Sequence, residues 1–300
     1  MTLAPIVLFT YKRLDTLKQT LEALLSNSLA SASDLVIYSD GTKGTNDDVV
    51  ISEVRAYLKT ITGFRTITIH ESPTNKGLAN SIIEGVTEVI NQYGKVIVLE
   101  DDLVCSPNFL NFMNDALDFY EYEAKIFSIT GFSIPIKNTK SDSDVYFTLR
   151  SSSWGWATWE NRWKSIDWEV KDYLEFKNNK TLRSNFDKMG SDKSQMLDRQ
   201  MQGKINSWAI RWCYHQFKND LFSVHPFVSK IVNIGFNSSK ATNTKEKFNR
   251  YETKLDVENK VEFKFSKEYQ LDPKIICQFI KPYSIVSRIK YKIINSLFRN

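Results

Sequence analysis

Cysteine is scarce in this 300-residue chain: Cys105, Cys213 and Cys277 are odd in number and show no CxxC spacing. That excludes a disulfide framework and fits a reducing compartment. Histidine is equally scarce, and His70, His215 and His225 lack the HExxH spacing of a zinc hydrolase. No GxGxxG follows the first apolar stretch and no GxxxxGKS/T loop occurs, so the dinucleotide and phosphate-loop signatures are missing. A GxSxG elbow is absent too, which disfavours an α/β-hydrolase. No apolar run nears the ~18 residues of a membrane span. The opening Met-Thr-Leu-Ala-Pro-Ile has no basic region before its short apolar stretch, so it does not read as a secretory leader. A cytoplasmic location is the expectation.

What is present is an ordinary globular composition, 42% hydrophobic and 25% charged. The length suits one large α/β domain or two modest ones. The net charge of +5 is confined to the end: segment 272–300 holds six bases and one acid, so the remainder is neutral. A neutral body with a basic tail argues against a nucleic-acid binder, whose positive charge would follow a broad groove. Within the tail, Ile285, Val286, Ile289, Ile293, Leu297 and Phe298 recur at helical spacing, with Lys290, Lys292 and Arg299 between them. Two readings fit: an interfacial helix on an anionic membrane surface, peripheral on the inner membrane, or a helix docked on its own domain.

The first hundred residues alternate strand and helix. Apolar runs at 5–10, 34–39 and 95–99 and an alternating stretch at 65–70 predict strands, and helical stripes span 13–26, 47–58 and 78–93. Repeated βα units imply an α/β fold whose central sheet is mostly parallel, with helices on both faces. After a helix over 107–122 and a strand over 125–130, loops and aromatic clusters dominate, and all seven tryptophans lie beyond residue 150. The expected division is a nucleotide-binding half (1–105), an acceptor half of the same domain (106–271) and the basic amphipathic tail (272–300).

The most informative feature is Glu100-Asp101-Asp102, directly after the run Val96-Ile97-Val98-Leu99. Ligand sites in open α/β sheets lie beyond the carboxyl ends of such strands. Three adjacent carboxylates repel one another and resist desolvation, a cost that a divalent cation gripping phosphates would remove. The alternative is a solvated turn.

Further residues join the triplet in a resemblance. Pro5-Ile6-Val7-Leu8-Phe9-Thr10-Tyr11-Lys12-Arg13, Tyr38-Ser39-Asp40-Gly41, Asn75-Lys76-Gly77-Leu78 and Leu99-Glu100-Asp101-Asp102 together resemble a GT-A-fold glycosyltransferase. The chain is most like bacterial family 2 sugar transferases and the N-acetylglucosaminyltransferase I type, whose acidic motif is Glu-Asp-Asp. Ser153-Trp154-Gly155-Trp156, Ser207-Trp208-Ala209-Ile210-Arg211-Trp212 and Asn233-Ile234-Gly235-Phe236 resemble the acceptor half of that bacterial group. The resemblance implies that Asp102 holds Mn²⁺ or Mg²⁺ on the donor's phosphates, with Glu100 and Asp101 beside the nucleotide sugar. Thr10 and Arg13 would contact the nucleotide, helped by helix N-terminal N–H groups. Asp40 would accept from a pyrimidine N–H, or simply close a turn. Asn75 and Lys76 would flank the donor, or form a solvated helix entry.

Trp154, Gly155 and Trp156 would meet the sugar or acceptor, framed by Trp208 and Arg211. Trp156, Trp159 and Trp163 also have the spacing of one buried helical stripe. Two departures stand out. The resemblance calls for Asp at the base position where this chain has Asn206, and for a histidine near Asn243. An amide takes no proton at neutral pH, which leaves Asp198 as the nearest alternative base. The expectation is a hexosyl- or N-acetylhexosaminyltransferase moving sugar, with inversion, from a UDP-sugar to a cell-surface glycan or lipid-linked glycan. The alternative is a sugar-nucleotide-binding protein of the same fold with little or no transfer activity.

Overall fold

The computed structural model describes residues 2–44, 47–139, 141–237 and 248–297. The first half runs β1 (Ile6–Thr10), α1 (Leu14–Leu25), β2 (Asp34–Ser39), α2 (Asp48–Leu58), β3 (Thr66–Glu71), α3 (Leu78–Tyr93) and β4 (Lys95–Glu100). The second half continues with β5 (Leu103–Cys105), α4 (Phe109–Phe119), β6 (Ile126–Thr130), β7 (Val145–Thr148), β8 (Trp156–Trp159) and α5 (Glu160–Lys164). Then come α6 (Tyr173–Asn178), α7 (Lys180–Asp187), α8 (Lys193–Met201), α9 (Trp208–Lys218), β9 (Phe222–Pro226) and β10 (Ile231–Asn233). Two helices, α10 (Pro273–Phe279) and α11 (Ile285–Leu297), close the described chain.

Both halves share one eight-stranded sheet of order β3-β2-β1-β4-β8-β6-β9-β7, while β10 pairs with β5. β3, β2, β1 and β4 are mutually parallel, and β8 runs antiparallel between β4 and β6. The apolar runs are explained by burial on both faces. Ile6 and Leu8 of β1 join one core with α1, α2 and α4; Val7 and Phe9 join the other with α3 and α9. The chain leaves β1 toward β2 on one side and returns to β4 on the other. The gap between the carboxyl ends of β1 and β4 is therefore a topological switch point, where α/β sheets bind ligands.

One expectation is corrected here. Trp156, Trp159 and Trp163 are not a helical stripe, because Trp156 and Trp159 lie on β8. Three residues apart on a strand, they face opposite sides of the sheet. Trp156 stacks on Trp163 in the α3-side core, and Trp159 donates its Nε1–H to Leu117 O (3.1 Å) on the other side. Trp159 and Trp163 are core residues in any case.

Candidate active site

The first turn after β1 is folded onto the acidic triplet. Asp101 accepts from the Thr10 hydroxyl (2.9 Å), from the Tyr11 amide (3.2 Å) and from Arg13 Nη2. Arg13 Nη1 reaches Asp102 Oδ2 at 2.7 Å, so one guanidinium fork spans two carboxylates. Glu100, partly exposed at the cleft floor, makes no side-chain hydrogen bond among the described residues. Burial, followed by the charge of Asp102, pushes its carboxyl up to about 8. Burial also raises Asp102, against the pull of Arg13. Gly235 covers this pair: a Cβ there would overlap Asp102 Oδ2 and lie 2.9 Å from Arg13 Nη1.

This donor set fits a hard divalent cation. Glu100 and Asp102 are oxygen ligands short of positive charge, both lining the same cleft. Among the described residues no cluster of three or more metal-ligating side chains forms, so phosphates and water would supply the remaining ligands. Mg²⁺-type sites are built that way.

The triplet floors a cleft of about 1480 Å³ that also takes in Asp40, Asn75, Trp154, Asn206, Trp208 and Gly235. The same cleft is walled by Arg250, Tyr251 and residues of α11. A family model, Glycosyl transferase family 2, matches residues 6–193, well over half of the chain. The chain belongs to glycosyl transferase family 2. A search of curated proteins returned no match.

Three of the solved structures similar to this family 2 chain align with part of it. A mannosyltransferase from Pyrobaculum calidifontis, in complex with GDP-Man and Mn²⁺, aligns at 14% identity over 53% of this chain and 44% of its own (TM-score 0.36). S. aureus TarS 1-349 in complex with UDP aligns at 14% over 60% and 53% (TM-score 0.34). Mouse xyloside xylosyltransferase 1 aligns at 8% over 72% and 82% (TM-score 0.37). The chain thus spans less than half of that mannosyltransferase.

Among the sequence-predicted residues of this family 2 chain, Thr10, Arg13, Glu100, Asp101 and Asp102 come together as described. Asp40 lines the cleft, yet its carboxylate already accepts three backbone N–H groups, from Gly41 (2.9 Å), Lys76 (2.8 Å) and Gly77 (3.0 Å). Of about four lone-pair sites, one is left for a nucleobase. Asn75 lines the cleft while donating to Gly41 O (2.9 Å), but Lys76 turns away to Glu84 (2.6 Å).

Gly155, at φ +57°, makes the kink that separates Trp154 from Trp156. Trp154 lines the cleft against Tyr251 and Phe236; Trp156, 1% exposed, is sealed among Trp163, Trp208 and Trp212. An acceptor contact through Trp156 is therefore ruled out by its burial. Trp208 touches the cleft edge, but the Arg211 guanidinium is spent on Ser207 O and Trp168 O, outside the cleft lining.

Asn206 is exposed on the cleft, just before α9. Asp198 is not positioned as its substitute. It forms a bidentate pair with Arg183 (2.8 and 2.7 Å), which holds its carboxyl below the usual range, away from the cleft lining. The expected histidine position, Asn243, lies outside the described residues. Sequence reasoning missed Asp192, Arg199, Arg250 and the α11 wall. The spacing of Arg288 and Lys292, one helical turn apart, was the available signal for the last.

Among the described residues no helix is long and apolar enough to cross a membrane.

Proposed function

We propose that the chain transfers a sugar, hexosyl or N-acetylhexosaminyl, from a nucleoside diphosphate sugar of the UDP class to a cell-surface glycan acceptor, with inversion. What supports this reading most is the open cleft at the β1–β4 switch point, floored by under-neutralised carboxylates and continuous with Trp154 and Asn206. Arg13 holds Asp101 and Asp102 apart from solvent and keeps the strand end ready for a diphosphate. Glu100 and Asp102 would hold Mn²⁺ or Mg²⁺, whose chemistry when bound is to stabilise negative charge on a departing diphosphate. Trp154 presents an aromatic surface to the C–H face of a sugar, and the anomeric centre develops oxocarbenium character as the bond to phosphate lengthens.

The proton of the acceptor hydroxyl is the weak point. Asn206 cannot take it, and Asp192, a further carboxylate of the described cleft lining, is held at about 2 chiefly by Arg150 against the cost of burial, which makes it a poor base. That observation favours a second reading, a sugar-nucleotide binder with feeble transfer.

Nucleotide release from a panel of sugar nucleotides, with Mn²⁺ and with chelator, tests both. Metal-dependent release in the presence of a glycan acceptor supports transfer. Tight metal-dependent binding without release selects the binder, and full affinity in chelator removes the metal role.

A further inference from the structure

Lys193, the first residue of α8, is 2% exposed and lies among groups that do not balance its charge. Lysine is almost never buried so deeply without an ionised partner. Its chain neighbour Asp192 is taken by Arg150, whose Nη1 and Nη2 reach the two carboxylate oxygens at 3.2 and 3.4 Å. Arg150 also donates to Met189 O (3.0 Å) and lies over the Tyr283 ring at 3.8 Å. Among the described residues Lys193 Nζ has no carboxylate partner. Apart from the Phe186 ring at 5.6 Å, its contact is a hydrogen bond with the sulfur of Cys213, in the middle of α9.

Two cations thus share one carboxylate in a buried place, a costly arrangement. A proton shared between Lys193 and Cys213 relieves it, as ammonium facing thiolate or amine facing thiol. Burial opposes ionisation of Cys213, but the charges of Lys193 and Arg150 outweigh it, so the thiol is held below its ordinary range. Burial, with Arg150 behind it, lowers Lys193 as well. Both partners are poised as nucleophiles. Cys213 Sγ also lies 3.2 Å from Ser151 Oγ, a hydroxyl able to hydrogen-bond an oxygen placed on that sulfur. No second thiol is at hand: Cys105 belongs to the core on the other side of the sheet, and Cys277 is exposed on α10.

We infer that Lys193 and Cys213 form a site of reversible covalent oxidation, whose co-reactant is a peroxide and whose product is a sulfenamide bond joining α8 to α9. The Cys213 thiolate attacks a peroxide oxygen and the O–O bond breaks. The departing hydroxide takes a proton from the Lys193 ammonium and leaves as water, giving a sulfenic acid beside a free amine. The amine attacks sulfur, the S–N bond forms, the S–O bond breaks, and a second water leaves. Thiol, amine and one hydrogen peroxide become a sulfenamide and two waters, with sulfur oxidised by two electrons and peroxide reduced by two. The product carries no charge, so Arg150 and Asp192 remain as a balanced pair. Cys213 keeps 7% of its surface open, and Ser191 and Asp192, next to Lys193 in the chain, line the cleft, which gives a molecule as small as peroxide its approach. The bond would fix α8, which lines the cleft with Gln195, Met196 and Arg199, against α9, which lines it with Trp208. None of this chemistry needs a sugar nucleotide.

The test exposes the full chain, reduced and then freed of reductant, to hydrogen peroxide, followed by alkylation of the remaining thiols and a peptide map by mass. The peptides holding Lys193 and Cys213 should appear joined with the loss of two hydrogens, and should separate after dithiothreitol. Cys213→Ser should abolish the joined species. Lys193→Met removes the amine while filling its space. Oxidation of Cys213 should then slow roughly tenfold, the change in thiolate fraction for one unit of pKa, and its product should be captured by dimedone or pass on to sulfinic acid. If Lys193→Met does not fold, the wild-type map decides alone, since the joined peptides name both residues. Cys213 remaining a free thiol while Cys277 oxidises overturns the inference. So does a disulfide between Cys213 and either other cysteine, or sulfinic acid forming at Cys213 as readily in the wild type as in Lys193→Met.

Discussion

Arg13 is the residue on which the donor end of the cleft turns. Its side chain is 15% exposed and the carboxylates it bridges are 3% and 11% exposed. Removing one partner of such a buried arrangement leaves charge uncompensated, so Arg13→Ala should cost roughly 3–5 kcal/mol in urea unfolding and weaken UDP binding. Arg13→Lys keeps the charge without the fork and should fall between. An unaltered urea midpoint for Arg13→Ala would remove the clamp from the account. Asn206→Asp addresses the missing base. A carboxylate there should raise turnover by about 10²–10⁴-fold, read as nucleotide release with saturating acceptor. No gain would move the proton's exit elsewhere. At this scale the sequence was legible where contacts are local. The acids follow β4 and Arg13 follows β1, so strand-end logic reached both. It failed where a side chain's partner lies on another element: nothing near Asp198 shows that Arg183 occupies it, and nothing near Asp40 shows the N–H groups of Lys76 and Gly77.

Among elements, β8 divides the aromatic half. Trp156→Ala empties a large, sealed site and should cost about 3–5 kcal/mol in unfolding experiments. Trp154→Ala, two residues away beyond the Gly155 kink, should cost less than half of that and raise the acceptor KM with donor binding retained. Equal stability losses would show that Trp154 is core as well. The βα units before residue 100 were legible because β1, β2 and β4 are apolar on both faces, β3 alternates, and each helix carries one stripe. β8 was not, since tryptophans three and seven apart fit a helix, and only pairing with β4 and β6 decides otherwise. The tail was legible as a helix but not as a wall of the cleft, because the residues it meets, Ser191 and Phe248, lie far back in the chain.

For the whole molecule, buried His225 and Glu100 at the cleft floor tilt stability in opposite directions with pH. Burial presses His225, ordinarily near 6.5, down to about 4. Between those values the unfolded chain binds a proton that the folded chain does not. Stability from this group is therefore complete above pH 6.5 and is lost as pH falls, by about 3 kcal/mol at most. Glu100 acts in reverse: its folded value near 8 against an ordinary 4.5 means that stability declines as pH rises between them. Urea midpoints in chelator should show His225→Gln gaining on the wild type toward pH 4.5, and Glu100→Gln gaining toward pH 8. Parallel profiles for all three proteins would contradict both assignments.

The strand order has a consequence for synthesis at the ribosome. β1 lies inside its sheet, and one of its edges is reserved for β4, which begins about 85 residues after β1 ends. At ~5–20 residues per second, that edge waits roughly 4–17 s for its partner. During the wait an apolar strand offers an unpaired ladder of N–H and C=O groups, a template for joining other chains. Arg13 meanwhile lacks the carboxylates that later hold it, so the cleft has no precursor in the emerging N-terminal units. The wait of β1 ends with the same strand that delivers Glu100, so the nascent chain pairs β1 on both edges and gains its donor-site acids in one event, and the open edge passes to β4 until β8 arrives.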